Sequence, residues 1–229
     1  MLQGYGPSLL EGAGLTLAVA FASLAIAVLL GLAGAVAKFS RHRVVRGLAQ
    51  AYTTVVRGVP DLVLMLLVFF GGQTLANAIA DRLGRPAFDV DPFVAGTLTI
   101  GFIFGGFMTE IFRGAFLAVP NGQREAALAY GMTPAQALVR VVGPQALRHA
   151  IAPLSNCWLV LLKSTAIVSL IGLSDLMQRA ATASGSTREP FLFYGAAALL
   201  YLVFTTLSEL FFRWLKRRHA HSVRQVVLD

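Results

Sequence analysis

The chain has 229 residues, of which 56% are hydrophobic and 13% charged. Soluble domains average about 45–50% apolar and about 25% charged, so this composition excludes a soluble enzyme, a secreted disulfide scaffold and a disordered chain. The formal net charge is +8 and the single cysteine, Cys157, cannot form an intrachain disulfide. Such a charge suits either nucleic acid or a membrane protein with one basic face, and the position of each charge decides between them.

A bilayer crossing takes about 20 apolar residues. Residues 12–37 form the first such run and carry no charge. This run lacks the basic leader and short apolar core of a signal peptide, so it is expected to be a retained span. Residues 62–80 form a second uncharged run. The runs at 92–112, 151–173 and 191–212 carry one charge each, Glu110, Lys163 and Glu209. Strict alternation over segments of about ten residues, the mark of a transmembrane barrel, is absent. In lipid every backbone group needs an internal partner, so the expected class is all-α. The expectation is a polytopic membrane protein of five helices, one domain over 1–229, with a long connection at 113–150. Gly31/Ala35 and Gly101-x-x-x-Gly105 offer small residues at helical spacing for close packing.

The basic residues separate by side. Lys38, Arg41, Arg43, Arg46 and Arg57 follow the first run. Arg113, Arg124, Arg140 and Arg148 follow the third, and Arg213, Lys216, Arg217, Arg218 and Arg224 follow the fifth. These 14 lie on one side, against Arg82, Arg85, Arg179 and Arg188 on the other. Glu11, Asp81, Asp89, Asp91, Asp175 and Glu189 share the poorer side, whereas only Glu125 and Asp229 lie with the basic residues. The positive-inside rule then puts the N-terminus outside and the C-terminus in the cytoplasm. Anionic lipid at the inner surface adds to this, and nucleic acid is not needed to explain the charge.

The connection at 113–150 reads as helix–turn–helix. Residues 125–130 favour a helix, and Gly131 suits the position after its end. Thr133 is a good N-cap and Pro134 a good first residue for a second helix. Gly143-Pro144 is expected to end or kink that helix. A DNA-binding role is excluded by the tether between two spans. The chain has no G-x-x-x-x-G-K-[ST] loop, no H-E-x-x-H and no nucleophile elbow. His219 and His221 are two apart and point away from each other on a helix. No catalytic residue and no metal ligand is assigned.

Glu125-Ala126-Ala127, then Gly131, Val141 and Pro144, resembles the E-A-A-x(3)-G-x(9)-I-x-L-P signature of membrane permease subunits of ATP-binding-cassette importers. Val141 stands for Ile and Gly143 for Leu. Arg57-Gly58-Val59-Pro60 is similar to the R-G-[TV]-P segment of the polar amino acid permeases. Thr109-Glu110-Ile111-Phe112-Arg113-Gly114, followed by Val119-Pro120-Asn121-Gly122-Gln123, and Leu162-Lys163-Ser164-Thr165-Ala166 also match runs of that group. Within it, the likeness is strongest to membrane subunits of permeases for histidine, lysine, arginine and ornithine. The resemblance implies the type I importer permease fold, in which a short cytoplasmic coupling helix docks on an ATPase. On this chain the coupling residues would be Gln123, Arg124, Glu125, Ala126, Ala127, Tyr130, Gly131, Met132 and Pro144. It also implies a second homologous permease subunit, two copies of a cytoplasmic ATPase and a periplasmic amino-acid-binding protein. ATP and magnesium would be bound by the ATPase, with no cofactor in this chain. The expected function is import of basic amino acids across a bacterial inner membrane by alternating access. A permease for glutamine or glutamate is the alternative. A stand-alone secondary transporter is disfavoured, because five spans do not divide into two halves.

Ionisable groups inside a membrane cost about 2.5–3.5 kcal/mol each on insertion scales, so they face protein or water. Glu209 is expected to pair with Arg213 one turn on. Lys163 is the deepest charge, expected either to pair with Asp61 or Glu110, to reach an interface, or to line the path. Asp61 and Glu110 offer acids to a cationic side chain. Thr97, Thr99, Ser164 and Thr165 offer hydroxyls, although such groups also bond their own helix carbonyls.

Overall fold

The computed structural model describes residues 4–87 and 89–219. His221, Arg224 and Asp229 lie outside these, as does the side chain of His219. Among the described residues every regular element is helical. In chain order they are α1 (Gly6–Lys38), α2 (Arg43–Gly58), α3 (Asp61–Arg82), α4 (Pro92–Leu117), α5 (Asn121–Ala129) and α6 (Pro134–Ala137). A π-helical turn, Leu138–Val142, joins α6 to α7 (Gly143–Ser164), and a 3₁₀ segment, Thr165–Ile171, follows. Then come α8 (Leu176–Thr187) and α9 (Pro190–His219). Five helical stretches are long and apolar enough to cross a membrane: Gly6–Lys38, Asp61–Arg82, Pro92–Leu117, Pro134–Ile171 and Pro190–Arg218.

α1 and α4 run parallel and form the core pair. Small residues let their backbones close. A Cβ on Gly101 would meet Ile26 Cβ at 2.7 Å, and one on Gly31 would meet Met108 Cβ at 2.6 Å. Ser23 of α1 donates to the Thr97 carbonyl of α4 at 3.2 Å. Around this pair Val19, Ala20, Ala27, Ile100, Ile103, Phe104 and Met108 pack with Trp158, Leu161 and Leu162 of α7. The Trp158 indole N–H donates to Ser208 Oγ at 2.9 Å and ties α7 to α9. α3 and α9 sit at the margin. Leu67, Phe70, Leu75, Leu199, Leu202 and Leu207 are all more than half exposed, a surface made for lipid or a neighbouring protein.

Several local expectations change. α2 was not expected; its mixed polar and apolar composition hides it from a search for apolar runs. It packs through Ala49, Thr53 and Val56, spaced about one turn apart. α8 was likewise not expected and is held by Leu176, Ala180, Ala183 and Ser184. The chain does not break at Gly143-Pro144. Proline lacks an N–H and crowds the carbonyl four residues back, and the π turn absorbs both defects. Gly143 N–H bonds the Leu138 carbonyl five residues back, and a Cβ on Gly143 would lie 2.9 Å from that oxygen. Lastly, the run 151–173 is not one straight α-helix, since α7 ends at Ser164 and the 3₁₀ segment stops at Gly172, whose φ is +92°.

Candidate functional site

Two sites lie near one end of the molecule, where α1 finishes and α5 hangs between α4 and α6. The first is α5 itself. It ends in a Schellman motif: Met132 N–H bonds the Ala127 carbonyl at 3.1 Å and Gly131 N–H bonds the Leu128 carbonyl at 2.9 Å. That geometry needs a left-handed residue, which Gly131 supplies with φ of +81°. Thr133 and Gln136 then close a reciprocal capping box at 3.3 and 3.0 Å. One stop and one start within four residues turn the chain sharply between α5 and α6. Ala127 is buried, and Gln123 accepts from Gln145 at 3.2 Å, joining α5 to the start of α7. Arg124, Glu125, Ala126, Tyr130 and Gly131 are exposed, Tyr130 by 88%. Met132 is half-buried and Pro144 lies in the first turn of α7.

The second is a cavity of about 390 Å³ among α2, α3, α4 and α7. Arg57, Asp61, Glu110 and Asn156 give it polar groups, and Phe104, Phe107 and Val160 give it apolar walls. Asp61 and Glu110 are thus brought to one cavity. Asp61 sits in the first turn of α3, where the helix dipole favours a negative charge. Lys163, Ser164, Thr165, Thr97 and Thr99 are not among its lining residues. Thr97 and Thr99 are buried in α4. Thr165 Oγ1 donates to the Leu162 carbonyl at 2.7 Å, the local bond that such hydroxyls commonly make.

Glu110 has a partner that sequence reasoning missed. The Lys38 ammonium, whose side chain is 3% exposed, pairs with Glu110 Oε1. It also donates to Thr53 Oγ1 at 2.7 Å and Gln50 Oε1 at 2.8 Å. Three donor positions meet three acceptors, so the buried charge is fully satisfied. Arg113 adds a looser contact to Glu110 Oε2 at 3.6 Å. This knot joins α1, α2 and α4 at the edge of the cavity. Lys38 had been counted only among the basic residues of one side; the available signal was its place at the very end of a long apolar run.

The expected pairing of Lys163 with Asp61 or Glu110 is not formed. Glu110 is taken by Lys38, and Lys163 is exposed in the last turn of α7 with no ion pair among the described residues. A cation there is favoured by the negative end of the helix dipole. Glu209 does pair with Arg213, at 3.5 Å.

The family described as binding-protein-dependent transport system inner membrane component matches residues 23–221. The chain belongs to this family. It is a membrane permease subunit of a binding-protein-dependent importer. The permease is 48% identical over 228 residues to the histidine/lysine/arginine/ornithine transport system permease protein of Salmonella typhimurium, covering 100% of both chains. It is 44% identical over 207 residues to the nopaline transport system permease protein of Agrobacterium fabrum, covering 90% of this chain and 88% of the other. Among solved structures, an amino acid ABC transporter crystallised with histidines superposes with a TM-score of 0.81 at 33% identity, covering 93% of this chain and 95% of that one. An inward-facing methionine ABC transporter shares the fold, with a TM-score of 0.76 at 18% identity over 96% and 99% of the two chains.

Proposed function

We propose that this permease carries basic amino acids, histidine, arginine, lysine or ornithine, inward across a bacterial inner membrane. The full-length likeness to a permease named for those four solutes carries the reading. The cavity agrees with it, since Asp61 and the Lys38-paired Glu110 set acidic groups beside aromatic walls, a setting that suits a cationic side chain. Arg57 at the same cavity offers donors for a carboxylate.

The exposed face of α5, with Arg124, Glu125, Ala126 and Tyr130, is the handle by which a cytoplasmic ATPase moves the spans. Gln123, Ala127, Gly131, Met132 and Pro144 hold that handle in place. ATP and magnesium belong to the ATPase, present in two copies beneath this chain and a second, homologous permease subunit. A periplasmic binding protein delivers the solute at the other end. ATP closes the ATPase pair and shifts the two permease subunits from an inward-open to an outward-open population. The N-terminus faces the periplasm and the C-terminus the cytoplasm, as the basic residues require.

Reconstitution of the chain with its ATPase, second permease and binding protein in vesicles tests this. ATP-dependent uptake of labelled arginine or histidine is expected. Glu125→Lys with Gly131→Pro should abolish uptake while the chain still inserts. Uptake by this chain alone, or coupling unaffected by that double change, would refute the reading.

A further inference from the structure

A further cavity, of about 350 Å³, opens in the crevice between α7 and α9. It shares Asn156 with the cavity of Asp61 and Glu110 and no other lining residue. Leu159 of α7 and Phe212 of α9 give it apolar walls. Glu209, Arg213 and Lys216 stand along its α9 side. Their spacing of i, i+4 and i+7 sets all three on one helix face.

The charge of this crevice is unbalanced. Glu209 is the one acid on α7 and α9 together, and Arg213 takes it at 3.5 Å. Both side chains of that pair are more than half exposed, so water weakens it. Lys216 makes no ion pair and no hydrogen bond among the described residues. Two cations against one acid leave the crevice positive. A polar group is also left over inside it. Ser155 is 6% exposed and lines the cavity, yet its hydroxyl has no hydrogen-bond partner among the described residues. A serine in a helix commonly bonds the carbonyl one turn back, as Thr165 and Thr205 do here. Ser155 does not, so its hydroxyl is left for an occupant.

The aromatic residues give the depth. Trp214, 52% exposed, follows Arg213 on α9, and indoles settle at the level of lipid headgroups. Arg218 lies over the Trp214 ring at 5.4 Å, with Arg217 beside it in sequence. In the other direction Leu199 and Leu202, both more than half exposed, continue the face of Glu209, Arg213 and Lys216 into the apolar part of α9. The crevice therefore straddles the boundary between headgroups and hydrocarbon.

We propose that this crevice is a binding site for one anionic phospholipid, of the phosphatidylglycerol class. Arg213 and Lys216 hold the phosphate, and the Ser155 hydroxyl donates to one of its oxygens. Glu209 accepts from a headgroup hydroxyl, which a choline headgroup lacks. The acyl chains lie along Leu202 and Leu199. A single lipid brings the anion and the apolar length that this face presents together, and basic pockets between spanning helices suit such headgroups. The site goes beyond transport of amino acids and stands whether or not that reading holds.

Lipid titration of the purified, assembled importer, read by native mass spectrometry, tests the site. One phosphatidylglycerol per copy of this chain should bind about fivefold or more tighter than phosphatidylcholine. Arg213→Gln and Lys216→Gln should each weaken it about fivefold. Ser155→Ala keeps every charge and should weaken it about threefold or more. Arg46→Gln removes an equal charge from exposed α2 and should leave the affinity unchanged. Excess inorganic phosphate should not displace the lipid, because it lacks the apolar part. Equal affinity for the two lipids, no loss in Lys216→Gln or Ser155→Ala, an equal loss in Arg46→Gln, or displacement by phosphate would overturn the proposal. So would lipid that binds the isolated chain but not the assembled importer, since the face would then belong to a protein neighbour. Lys216 is exposed, so Lys216→Gln decides the matter even where Ser155→Ala fails to fold.

Discussion

Replacing Glu110 by glutamine removes the carboxylate that pairs with Lys38, whose side chain is 3% exposed. The ammonium keeps Thr53 and Gln50 as hydrogen-bond partners but loses its counter-charge in a buried place. Breaking a buried pair in this way costs about 3–5 kcal/mol. The reverse change is milder. In Lys38→Met the Glu110 carboxylate is left 23% exposed, with Arg113 at 3.6 Å, so water and a second cation soften the loss. About 1–3 kcal/mol is expected for that variant. The double variant leaves neither charge, so its cost should fall below the sum of the single costs by about 1–3 kcal/mol. A double-mutant cycle on reversible unfolding in mixed micelles measures this. Additivity within about 0.5 kcal/mol would refute the coupling. A Lys38→Met cost larger than that of Glu110→Gln would refute the assignment of lysine as the more deeply buried partner.

Other outcomes follow from local geometry. Gly131→Val forces a β-branched residue to φ of +81° and should cost about 1–3 kcal/mol, with loss of ATP-coupled uptake, whereas Gly131→Asn should keep most of both. Gly143→Ala sets a methyl 2.9 Å from the Leu138 carbonyl oxygen, so the π turn must shift; thermal unfolding should register about 1–2 kcal/mol. For Asp175 the rise from 3.8 to about 6 corresponds to about 3 kcal/mol of stability that the parent has near pH 4 and loses by pH 8. Asp175→Asn should flatten that slope and be the more stable chain at pH 8, read from unfolding midpoints across the range.

Much of this protein was legible before any coordinates. The apolar runs placed five crossing helices, because in lipid a helix must be long, apolar and internally bonded. The turn at Gly131 and the cap at Thr133 were readable, since each is a local rule about one residue's backbone or side chain. The E-A-A spacing marked α5 only through its resemblance to the permease signature. What could not be read were the features made by residues far apart in the chain. Lys38 and Glu110 stand 72 positions apart, and only the parallel packing of α1 on α4 brings them together. Asp61 joins Glu110 at one cavity because α2 and α3 fold back beside α4.

The limits of local rules also explain the errors. Gly143-Pro144 was expected to end or kink the helix; the α geometry is interrupted there, but a π turn, supported on both sides by packed helix, carries the chain through. Lys163 lies mid-run in an apolar stretch, but α7 ends at Ser164 and the side chain is exposed on this chain rather than paired with Asp61 or Glu110. Asp175 looked like an ordinary acid of a connecting loop. Its burial depends on Gly12 letting α1 lie flush against that loop and on Arg179 being drawn off to Glu11. Sequence alone thus determined the class, the number of crossings and the turn at Gly131–Thr133, all set by period, composition and single-residue backbone preference. The tertiary structure decided which charges are paired, which acid is left alone and which share a cavity, because those depend on distances between helices that no local pattern encodes.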